Sequence, residues 1–347
     1  MGNWRSELPT RDVIVIGGSA GALKALTRIV SGLPQDLDAA IFVLIHSGAG
    51  RESKLPEILS RAGRLRAKLA AHNQPIEHGT IYVAPPDFHL LIENRHMATV
   101  HGPKENRSRP AIDPLFRSAA LNYGPRVIAV LLSGSLDDGA AGIHAIKRRG
   151  GITIVQDPTE ALYPAMPQNA IDNTSIDHVL TANEIAPLLR TLTQQGIVAE
   201  GEVSNVKEDL KTEVEIIGQE LESDEMIERV ERLGRLSMFT CAECRGTLWE
   251  LKDGELLRYR CHVGHAFSIE SLDVEQAEKL EGALWSALRA LEERIALARR
   301  LAKQARQRKS EFVARGFDAR AEEANKHAAN IRTMLLADPE RMMTRAV

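Results

Sequence analysis

The sequence predicts an α/β protein with a doubly wound, mostly parallel sheet, followed by a small zinc ribbon and an α-helical C-terminal region. Three observations support this prediction. Apolar strands alternate with helical patterns from residue 12 to about residue 195, all three cysteines fall within residues 241–261, and a heptad-like stripe follows them. Nearly continuous Val/Ile/Leu strands separated by helices are typical of a parallel sheet with both faces covered.

Seven short apolar runs are the predicted strands. They are VIVIG (13–17), AIFVLIH (40–46), TIYVAP (80–85), HLLIE (89–93), VIAVLLS (127–133), ITIVQ (152–156) and DHVL (177–180). Helical patterns lie between most of them, as in LKALTRIVSGL and AAGIHAIKRRG. The turn PPDF joins the runs at 80–85 and 89–93, so we expect those two strands to form an antiparallel hairpin.

Composition divides the chain into four segments. Residues 1–195 carry the α/β domain, and residues 196–236 are acidic and poor in strands, which predicts a linker with a short helix. Residues 237–272 contain the cysteines and two nearby histidines, and residues 273–347 are predicted to be helical.

The helical segment carries a stripe of apolar residues at alternating steps of four and three, which is typical of a coiled coil. Its members are Leu284, Leu288, Leu291, Ile295, Ala298 and Ala302. Self-association or partner docking would cover this stripe, although burial within one chain would produce the same pattern. We expect Gly316 and Asp318 to interrupt the helix.

Composition and charge exclude several classes of protein. A net charge of −3 gives no overall attraction to nucleic acid or anionic membranes. No apolar run approaches the roughly 18 residues of a membrane-spanning helix, and the polar N-terminal segment does not resemble a signal peptide. Three clustered cysteines do not fit a secreted disulfide scaffold. We therefore expect a cytoplasmic protein that neither inserts into membranes nor binds nucleic acid.

The glycine-rich turn after the first strand has two interpretations. A dinucleotide site requires G-x-G-x-x-G and an acidic residue at the end of the second strand. The spacing differs here, and the second strand ends in His46. The alternative is a nucleophile elbow, G-x-S-x-G on a strand-to-helix bend, which Gly17 to Gly21 fit with Ser19 at the centre.

Other strand ends favour the elbow. His46 ends the second strand, and Asp137 and Asp138 follow the strand at 127–133. The carboxyl ends of parallel strands face one crevice, so these side chains would supply a nucleophile, a general base and an orienting carboxylate. The N–H groups that open the helix after Ser19 would stabilise an oxyanion.

The residues alone leave alternatives open at this site. Either aspartate could be the orienting acid, or could simply cap the following helix, and a lone histidine at a strand end is often a packing residue. Five further histidines are rival bases: His72, His78, His89, His96 and His101.

Residues 12 to about 190 resemble the catalytic domain of the CheB-type chemotaxis protein-glutamate methylesterases. The resemblance rests on motifs in the same order, namely VIVIGGSAGALKAL, FVLIH, GTIYVAPPDFHLLI, RPAIDPLFRSAA, VIAVLLSGSLDDGAAGIHAIKRRGGITIVQDPTEALYPAMPQNAI and DHVL. It implies a doubly wound α/β fold with a triad of Ser19, His46 and Asp138, so that Asp137 would be a neighbour. It also implies hydrolysis of glutamate methyl esters on chemoreceptors without a cofactor, releasing methanol, and in some members deamidation of receptor glutamines.

The loops around these residues depart from the family pattern. Ala20-Gly21-Ala22 stands where Thr-Gly-Gly often follows the serine, and Ser47-Gly48 where Met-Pro often follows the histidine. Gly134-Ser135-Leu136 replaces a common Gly-Met-Gly in the aspartate loop. Because the Ser, His and Asp are retained and only the neighbouring loops differ, we expect these changes to affect which substrate is bound more than whether hydrolysis occurs. Because only a short segment precedes the first strand, we expect this chain to lack the receiver domain that such enzymes usually carry.

Two other functions compete with the esterase. One is a signalling scaffold of the same fold, catalytically weak or inactive, which binds protein partners through the ribbon and the helices. The altered loops favour it, whereas the intact Ser, His and Asp disfavour it. The other is a nucleotide-binding protein, which the spacing of the glycines disfavours.

The cysteines predict a structural zinc site. Cys241 and Cys244 form a C-x₂-C pair, and Cys261 follows after sixteen residues. His265 lies four residues beyond Cys261, so both can reach one ion, whereas the rival ligand His262 follows Cys261 directly. Four protein ligands leave no position for water, which is typical of structural zinc. Three unliganded thiols are the alternative.

Similar ribbon tails occur on some CheB-like proteins, with RCxVGH followed by ALWxALRALEE, and this resemblance supports His265 as the fourth ligand. The ribbon has few basic residues, so we interpret it, with the helices, as a module that docks partners or self-associates rather than one that binds nucleic acid.

Overall fold

The computed structural model describes residues 9–46, 53–197, 204–218, 222–253 and 256–336. The chain divides into two compact units, Met1–Leu272 and Asp273–Val347. Within the described ranges, no helix combines the length and the apolar character that crossing a bilayer requires.

The α/β part of the first unit contains ten strands and six α-helices in the described residues. In chain order they are β1 (Val13–Gly18), α1 (Ala22–Gly32), β2 (Ala40–Ile45), α2 (Leu55–Ala62), β3 (Arg66–Leu69), β4 (Gln74–Pro75), β5 (Thr80–Val83), β6 (His89–Glu93), β7 (His96–Val100), α3 (Ile112–Tyr123), β8 (Val127–Leu131), α4 (Ala140–Arg148), β9 (Ile152–Gln156), α5 (Ala165–Asn173), β10 (His178–Leu180) and α6 (Ala182–Gln194).

Seven of these strands form one parallel sheet in the order β10-β9-β8-β1-β2-β5-β3. The chain leaves β1 on one side through β2 and later returns to its other side with β8. Open parallel sheets bind ligands beyond the carboxyl ends of the strands at such a reversal, which here lies at β1. The doubly wound, mostly parallel sheet predicted from the sequence is confirmed.

Both faces of the sheet are buried, which explains the continuous apolar strands. Along β1, Val13 and Val15 pack with α3 and α4 on one face, whereas Ile14 and Ile16 pack with α1 and α6 on the other. Successive side chains of a strand point to opposite faces, so a strand covered on both sides needs apolar residues at every position.

The expected hairpin between residues 80 and 93 is wrong. β5 joins the parallel sheet between β2 and β3, and β6 instead pairs antiparallel with β7, next to the short strand β4. The turn PPDF therefore separates two sheets. Asn94 and Arg95, both with positive φ, form the tight turn between β6 and β7 that the sequence analysis overlooked.

The segment predicted as an acidic linker with a short helix contains two helices, α7 (Ser204–Gly218) and α8 (Ser223–Leu233). Leu210 of α7 is part of the main core, and Val214 and Ile217 pack on β6 and β7. These three residues recur at the spacing of a helix face. The acidic composition concealed that pattern, and α7 is a packed element of the first unit.

The first unit ends in a four-stranded antiparallel sheet in the order β11-β12-β13-β14, which with the residues up to Leu272 we call the Cys/His ribbon (residues 234–272). Its strands are β11 (Gly234–Thr240), β12 (Thr247–Asp253), β13 (Leu256–Cys261) and β14 (Ala266–Ser268). Leu248, Tyr259 and Phe267 form its small core with two of the cysteines. Trp249 and Leu251 pack on α7 and α8.

The second unit is a helical hairpin. α9 (Ile269–Gln307) begins in the first unit, and α10 (Glu311–Leu336) follows a short break. The heptad-like stripe of α9 faces α10, where Leu288 and Ile295 pack against Ala324 and Ala328. The stripe is thus covered within one chain.

The break between these helices is not where the sequence predicts it. Gly316 and Asp318 lie inside α10, and the chain turns instead at Lys309, which has a φ of 57°. An added Cβ at Gly316 would meet nothing within 4 Å, so this glycine lies on an open helix surface and does not end the helix.

Candidate active site

Ser19 lies at the bend between β1 and α1, at the centre of the sheet. The bend needs small residues, because a Cβ on Gly18 would lie 2.6 Å from the Ala22 Cβ. Gly21 has a φ of 75°, in the left-handed region that favours glycine. The Ser19 N–H donates to the Ser133 carbonyl across the sheet at 2.9 Å, which fixes the bend against the loop after β8.

His46 follows β2 and lies between Ser19 and Asp138. Its Nδ1 is 3.2 Å from the Ser19 Oγ, and its Nε2 is 2.8 Å from the Asp138 Oδ2. The His46 N–H also donates to the Gly18 carbonyl at 3.2 Å, so the backbone ties the histidine to the serine bend. The Ser19 hydroxyl can donate to Nδ1 while Nε2–H donates to the carboxylate.

Asp138 is almost fully buried and accepts four hydrogen bonds. His46 and the Ile112 N–H, at 2.7 Å, donate to Oδ2, while the Asn106 amide, at 3.0 Å, and the Asp113 N–H, at 3.3 Å, donate to Oδ1. Burial alone would raise the pKa of Asp138, but His46 and these donors more than offset burial and hold the pKa below its ordinary value. The side chain therefore stays a carboxylate at neutral pH.

Two neighbouring carboxyl groups behave in the opposite way. Burial, followed by repulsion from Asp138, raises the pKa of Asp113 to about 7. Burial, followed by a hydrogen bond with Glu270, raises the pKa of Asp137 well above its ordinary value. Asp137 accepts a hydrogen bond from the Ser268 hydroxyl at 2.6 Å and points into the ribbon. Negative charge in this cluster thus concentrates on Asp138, the carboxylate beside His46.

The rival histidines lie elsewhere. The buried His89 bonds the Pro103 carbonyl, His78 faces Asp38, and His101 faces Asp87. His72 and His96 are exposed. Among the described residues, His46 is the histidine in contact with Ser19.

Asn106 is the main residue of this site that the sequence analysis missed. Its amide joins Asp138 and Asp113, at 3.0 and 2.9 Å. The surrounding run KENRSRP contains turn-forming residues, which predicts a loop. Nothing in the run indicates that the loop returns to the aspartate that follows β8.

The second predicted site lies in the ribbon, where the structure brings the four chosen ligands together. The Sγ atoms of Cys241, Cys244 and Cys261 and a ring nitrogen of His265 all lie within 4.8 Å of one another. His262 lies outside this cluster and packs on Gly246, where an added Cβ would come within 2.6 Å of its ring.

The cluster has the size of a tetrahedral zinc site. With Zn–S bonds of about 2.3 Å, tetrahedral geometry separates two sulfur ligands by about 3.8 Å. The Cys244 and Cys261 sulfurs are 3.6 Å apart, and the Cys261 sulfur is 3.6 Å from the His265 Nδ1. Three thiols and an imidazole are also ligands that zinc prefers.

The mostly parallel sheet with flanking helices, and a hydrogen-bonded Ser, His and Asp beyond the carboxyl ends of its central strands, are typical of hydrolases built on an α/β fold. The CheB methylesterase family model matches residues 14–189, half of the chain. The chain belongs to the CheB methylesterase family.

Known proteins of this family resemble the same half of the chain. A relative from Leptospira interrogans is 39% identical over 187 residues, which cover 54% of this chain and 97% of the relative. The protein-glutamate methylesterase/protein-glutamine glutaminase 2 of Methanosarcina mazei is 35% identical, and the match covers 52% of each chain. The chain thus matches about half the length of that relative.

A solved structure supports the fold. The CheB methylesterase catalytic domain of Thermotoga maritima is 31% identical to the matched region, with a TM-score of 0.51. The match covers all of that domain and 53% of this chain.

Proposed function

We propose that this chain hydrolyses methyl esters of glutamate side chains on chemoreceptor proteins through a triad of Ser19, His46 and Asp138. The observation that carries the proposal is the continuous hydrogen-bonded path from the Ser19 hydroxyl through His46 to a buried carboxylate. The family and the names of its members support a methyl ester of a protein glutamate as the substrate class, and the chemoreceptor is part of the proposal. No cofactor takes part in this reaction.

Acylation begins with attack of the Ser19 Oγ on the ester carbonyl carbon, while the serine proton moves to the His46 Nδ1. The negative charge of Asp138 stabilises the imidazolium through the Nε2–H bond. The tetrahedral intermediate then expels its methoxy group, which takes the proton from Nδ1 and leaves as methanol. A glutamyl ester on Ser19 remains.

The oxyanion of the intermediate needs hydrogen-bond donors near Ser19. The Ser19 N–H is already bonded to the Ser133 carbonyl. Among the described residues, the N–H groups of Ala20 and Gly21 donate no other hydrogen bond, and they lie at the N-terminus of α1, where partial positive charge accumulates. We assign the oxyanion to these two donors.

Deacylation repeats the proton transfers with water. His46 takes a proton from the attacking water and returns it to the Ser19 Oγ, which releases the glutamate carboxylate. A receptor glutamine can follow the same route, with ammonia replacing methanol as the leaving group.

Methanol release from a methylated chemoreceptor fragment tests the proposal. We expect Ser19→Ala to lower kcat by at least about 10⁴-fold, the scale of losing a nucleophile. Ser31→Ala on the exposed face of α1 is the matched control and should retain full activity. Equal activity in Ser19→Ala and the parent would exclude Ser19 as the nucleophile, and no release by the folded parent would exclude this esterase.

We also propose that Cys241, Cys244, Cys261 and His265 bind one structural zinc ion. Four protein ligands fill its coordination sphere, so this ion would hold the ribbon together rather than activate water. The ligands must be reduced thiols, which agrees with a cytoplasmic protein. Elemental analysis of the purified chain should find one zinc per protein, and Cys244→Ser should lower both the zinc content and the melting temperature. A zinc-free protein with an unchanged melting temperature in Cys244→Ser would refute the site.

A further inference from the structure

Asn106 connects the Cys/His ribbon to the catalytic aspartate. Its amide nitrogen donates to Asp138 and Asp113. Its carbonyl oxygen accepts from the Ser268 N–H at 2.9 Å and the Ser271 hydroxyl at 3.2 Å, both in the ribbon. Both donors of the amide and two acceptor positions are thus used, and the side chain is 8% exposed.

The loop that carries Asn106 is itself held by the ribbon. Glu105 and Ser108 pair across a two-residue turn, in which Asn106 and Arg107 have φ values of 46° and 68°. Such a turn is energetically unfavourable for residues other than glycine, so its conformation depends on its contacts, although asparagine tolerates it best. The Asn106 N–H donates to the Ala266 carbonyl of β14 at 2.9 Å.

Buried charges hold the same turn. Glu105 bonds Arg117 of α3 and, at 2.6 Å, Arg260 of β13. Glu213 of α7 forms a bidentate pair with Arg258 of β13, both bonds being 2.7 Å long. Burial would raise the pKa of Glu105, but Arg117 and Arg260 outweigh it and lower the pKa to about 2. Without the arginines of the ribbon, these buried carboxylates would lose partners that burial makes necessary.

The ribbon also reaches the neighbour of the catalytic aspartate. The Ser268 hydroxyl donates to Asp137 and accepts from the Ser271 N–H at 3.0 Å. The residues that make these contacts adjoin the predicted zinc ligands, since Arg260 precedes Cys261 and Ala266 follows His265. The ends of β13 and β14 that would close around the ion are therefore the ends that touch the catalytic loops.

We propose that Asn106 is a positioning residue for Asp138, and that the ribbon, through Ser268 and Ser271, holds Asn106 in place as part of the esterase active site. This inference rests on the proposed triad. The match to the Leptospira interrogans relative covers 97% of that relative but only 54% of this chain, so the proposed dependence applies to chains that carry the ribbon and not to the family as a whole.

The test compares Asn106→Ala and the double variant Ser268→Ala/Ser271→Ala with the parent. The double variant removes the Ser271 hydroxyl that donates to Asn106 and the Ser268 hydroxyl that donates to Asp137, and it leaves the Ser268 N–H donor to Asn106 in place. A small displacement of a catalytic group can cost about 100-fold in rate, so we expect kcat for methanol release to fall about 10- to 100-fold in Asn106→Ala. In the double variant, which keeps the Ser268 N–H bond to Asn106, we expect a smaller fall of about 5- to 10-fold. KM should stay within about twofold, because the substrate contacts are unchanged. Ser271→Thr in the parent keeps the hydroxyl that donates to Asn106, so this variant should retain most of the parental kcat. Ser237→Ala in β11 is the matched control.

The rate at which a fluorophosphonate labels Ser19 gives a readout that does not depend on the natural substrate. It should fall in parallel with kcat, while thermal melts show that each variant is folded at the assay temperature. If the double variant keeps both rates within about twofold of Ser237→Ala, the inference is wrong. An increase of KM at constant kcat would also overturn it, because the ribbon would then bind substrate.

These outcomes are separable from failure of the proposed function. If the parent is labelled at Ser19 but releases no methanol, the proposed substrate is wrong, and the labelling rates alone decide whether the ribbon positions Asp138. If the parent is not labelled, the triad is not active and both proposals fall.

Discussion

The carboxyl edge of the sheet and the Cys/His ribbon both fix polar side chains, but by different means. At the carboxyl ends of the central strands, the backbone positions the side chains. The parallel strands β1 and β2 bring Ser19 and His46 together, and the His46 N–H donates to the Gly18 carbonyl. At the ribbon, contacts between side chains from distant parts of the chain position the polar groups, as in the Arg260–Glu105 pair. Contacts that follow from the strand order persist when one side chain is replaced. Contacts between side chains can be removed one at a time by single substitutions.

Substitutions at the carboxyl ends of the central strands should have the largest effects on kcat. We expect His46→Ala to lower kcat for methanol release by at least about 10⁴-fold, because the general base is removed. His78→Ala, whose ring faces Asp38, is the control and should remain active. A His46→Ala enzyme with more than about a tenth of the parental kcat would mean that another group takes the serine proton.

Substitutions of the buried charges that join the ribbon to the α/β part should mainly lower the free energy of unfolding. Glu105→Gln leaves Arg117 and Arg260 with an excess of buried positive charge, so we expect the free energy of unfolding to fall by about 3–5 kcal/mol. Arg235→Ala breaks an ion pair with Glu250 in which the arginine is mostly exposed, and should cost about 1 kcal/mol or less. Urea unfolding measures both values. Similar losses would show that the buried pairs contribute no more than surface pairs.

Acid should weaken the contact between the two regions. The pKa of Glu105 is 4.5 ordinarily and about 2 in the folded protein, so its ionised form stabilises the fold above the unfolded value. That contribution is lost as the pH falls from about 4.5 to about 2. Unfolding curves over this range should show a smaller decrease in Glu105→Gln than in the parent. If the free energy of unfolding of Glu105→Gln and of the parent depended on pH in the same way, Glu105 would not be the group that titrates.

The smallest expected effects come from two glycines, one at the bend that carries Ser19 and one in the helical hairpin. Gly316→Ala adds a methyl group on an open helix surface and should stabilise the second unit by about 0.5–1 kcal/mol. Gly21→Ala must adopt a φ of 75° with its Cβ 2.8 Å from the Ser133 Oγ, and should destabilise by about 1–2 kcal/mol. Thermal melts measure both. A stabilising Gly21→Ala would show that the bend does not require glycine.

Strand order made the sheet and the placement of Ser19 and His46 predictable. A run of apolar residues marks each central strand, and polar residues at the strand ends must meet at one edge. The same reasoning failed at β5 and β6, because a turn sequence such as PPDF indicates a change of direction but not which sheet each strand joins. It failed again at α7, where acidic surface residues concealed a helix face.

The contacts of the ribbon with Asn106 and Asp137 could not be predicted in this way. Arg260 and Glu105 lie 155 residues apart in sequence, and no periodicity relates them. Asn106 was missed for the same reason, because a turn-forming residue carries no signal for the carboxylate it will meet. The cysteine spacing predicted a metal site, since short-range spacing limits which ligands can share one ion.

The neighbouring aspartates Asp137 and Asp138 permit the most direct test of the central claim, that the carboxylate at the sheet edge orients His46. Asp138→Asn and Asp137→Asn are nearly isosteric and adjacent, and methanol release with a methylated receptor fragment measures both. We predict that Asp138→Asn lowers kcat by about 10³- to 10⁴-fold, as loss of the orienting acid does, whereas Asp137→Asn, which mimics the protonated form that burial favours, stays within about threefold. Equal losses in the two variants, or a larger loss in Asp137→Asn, would contradict the account.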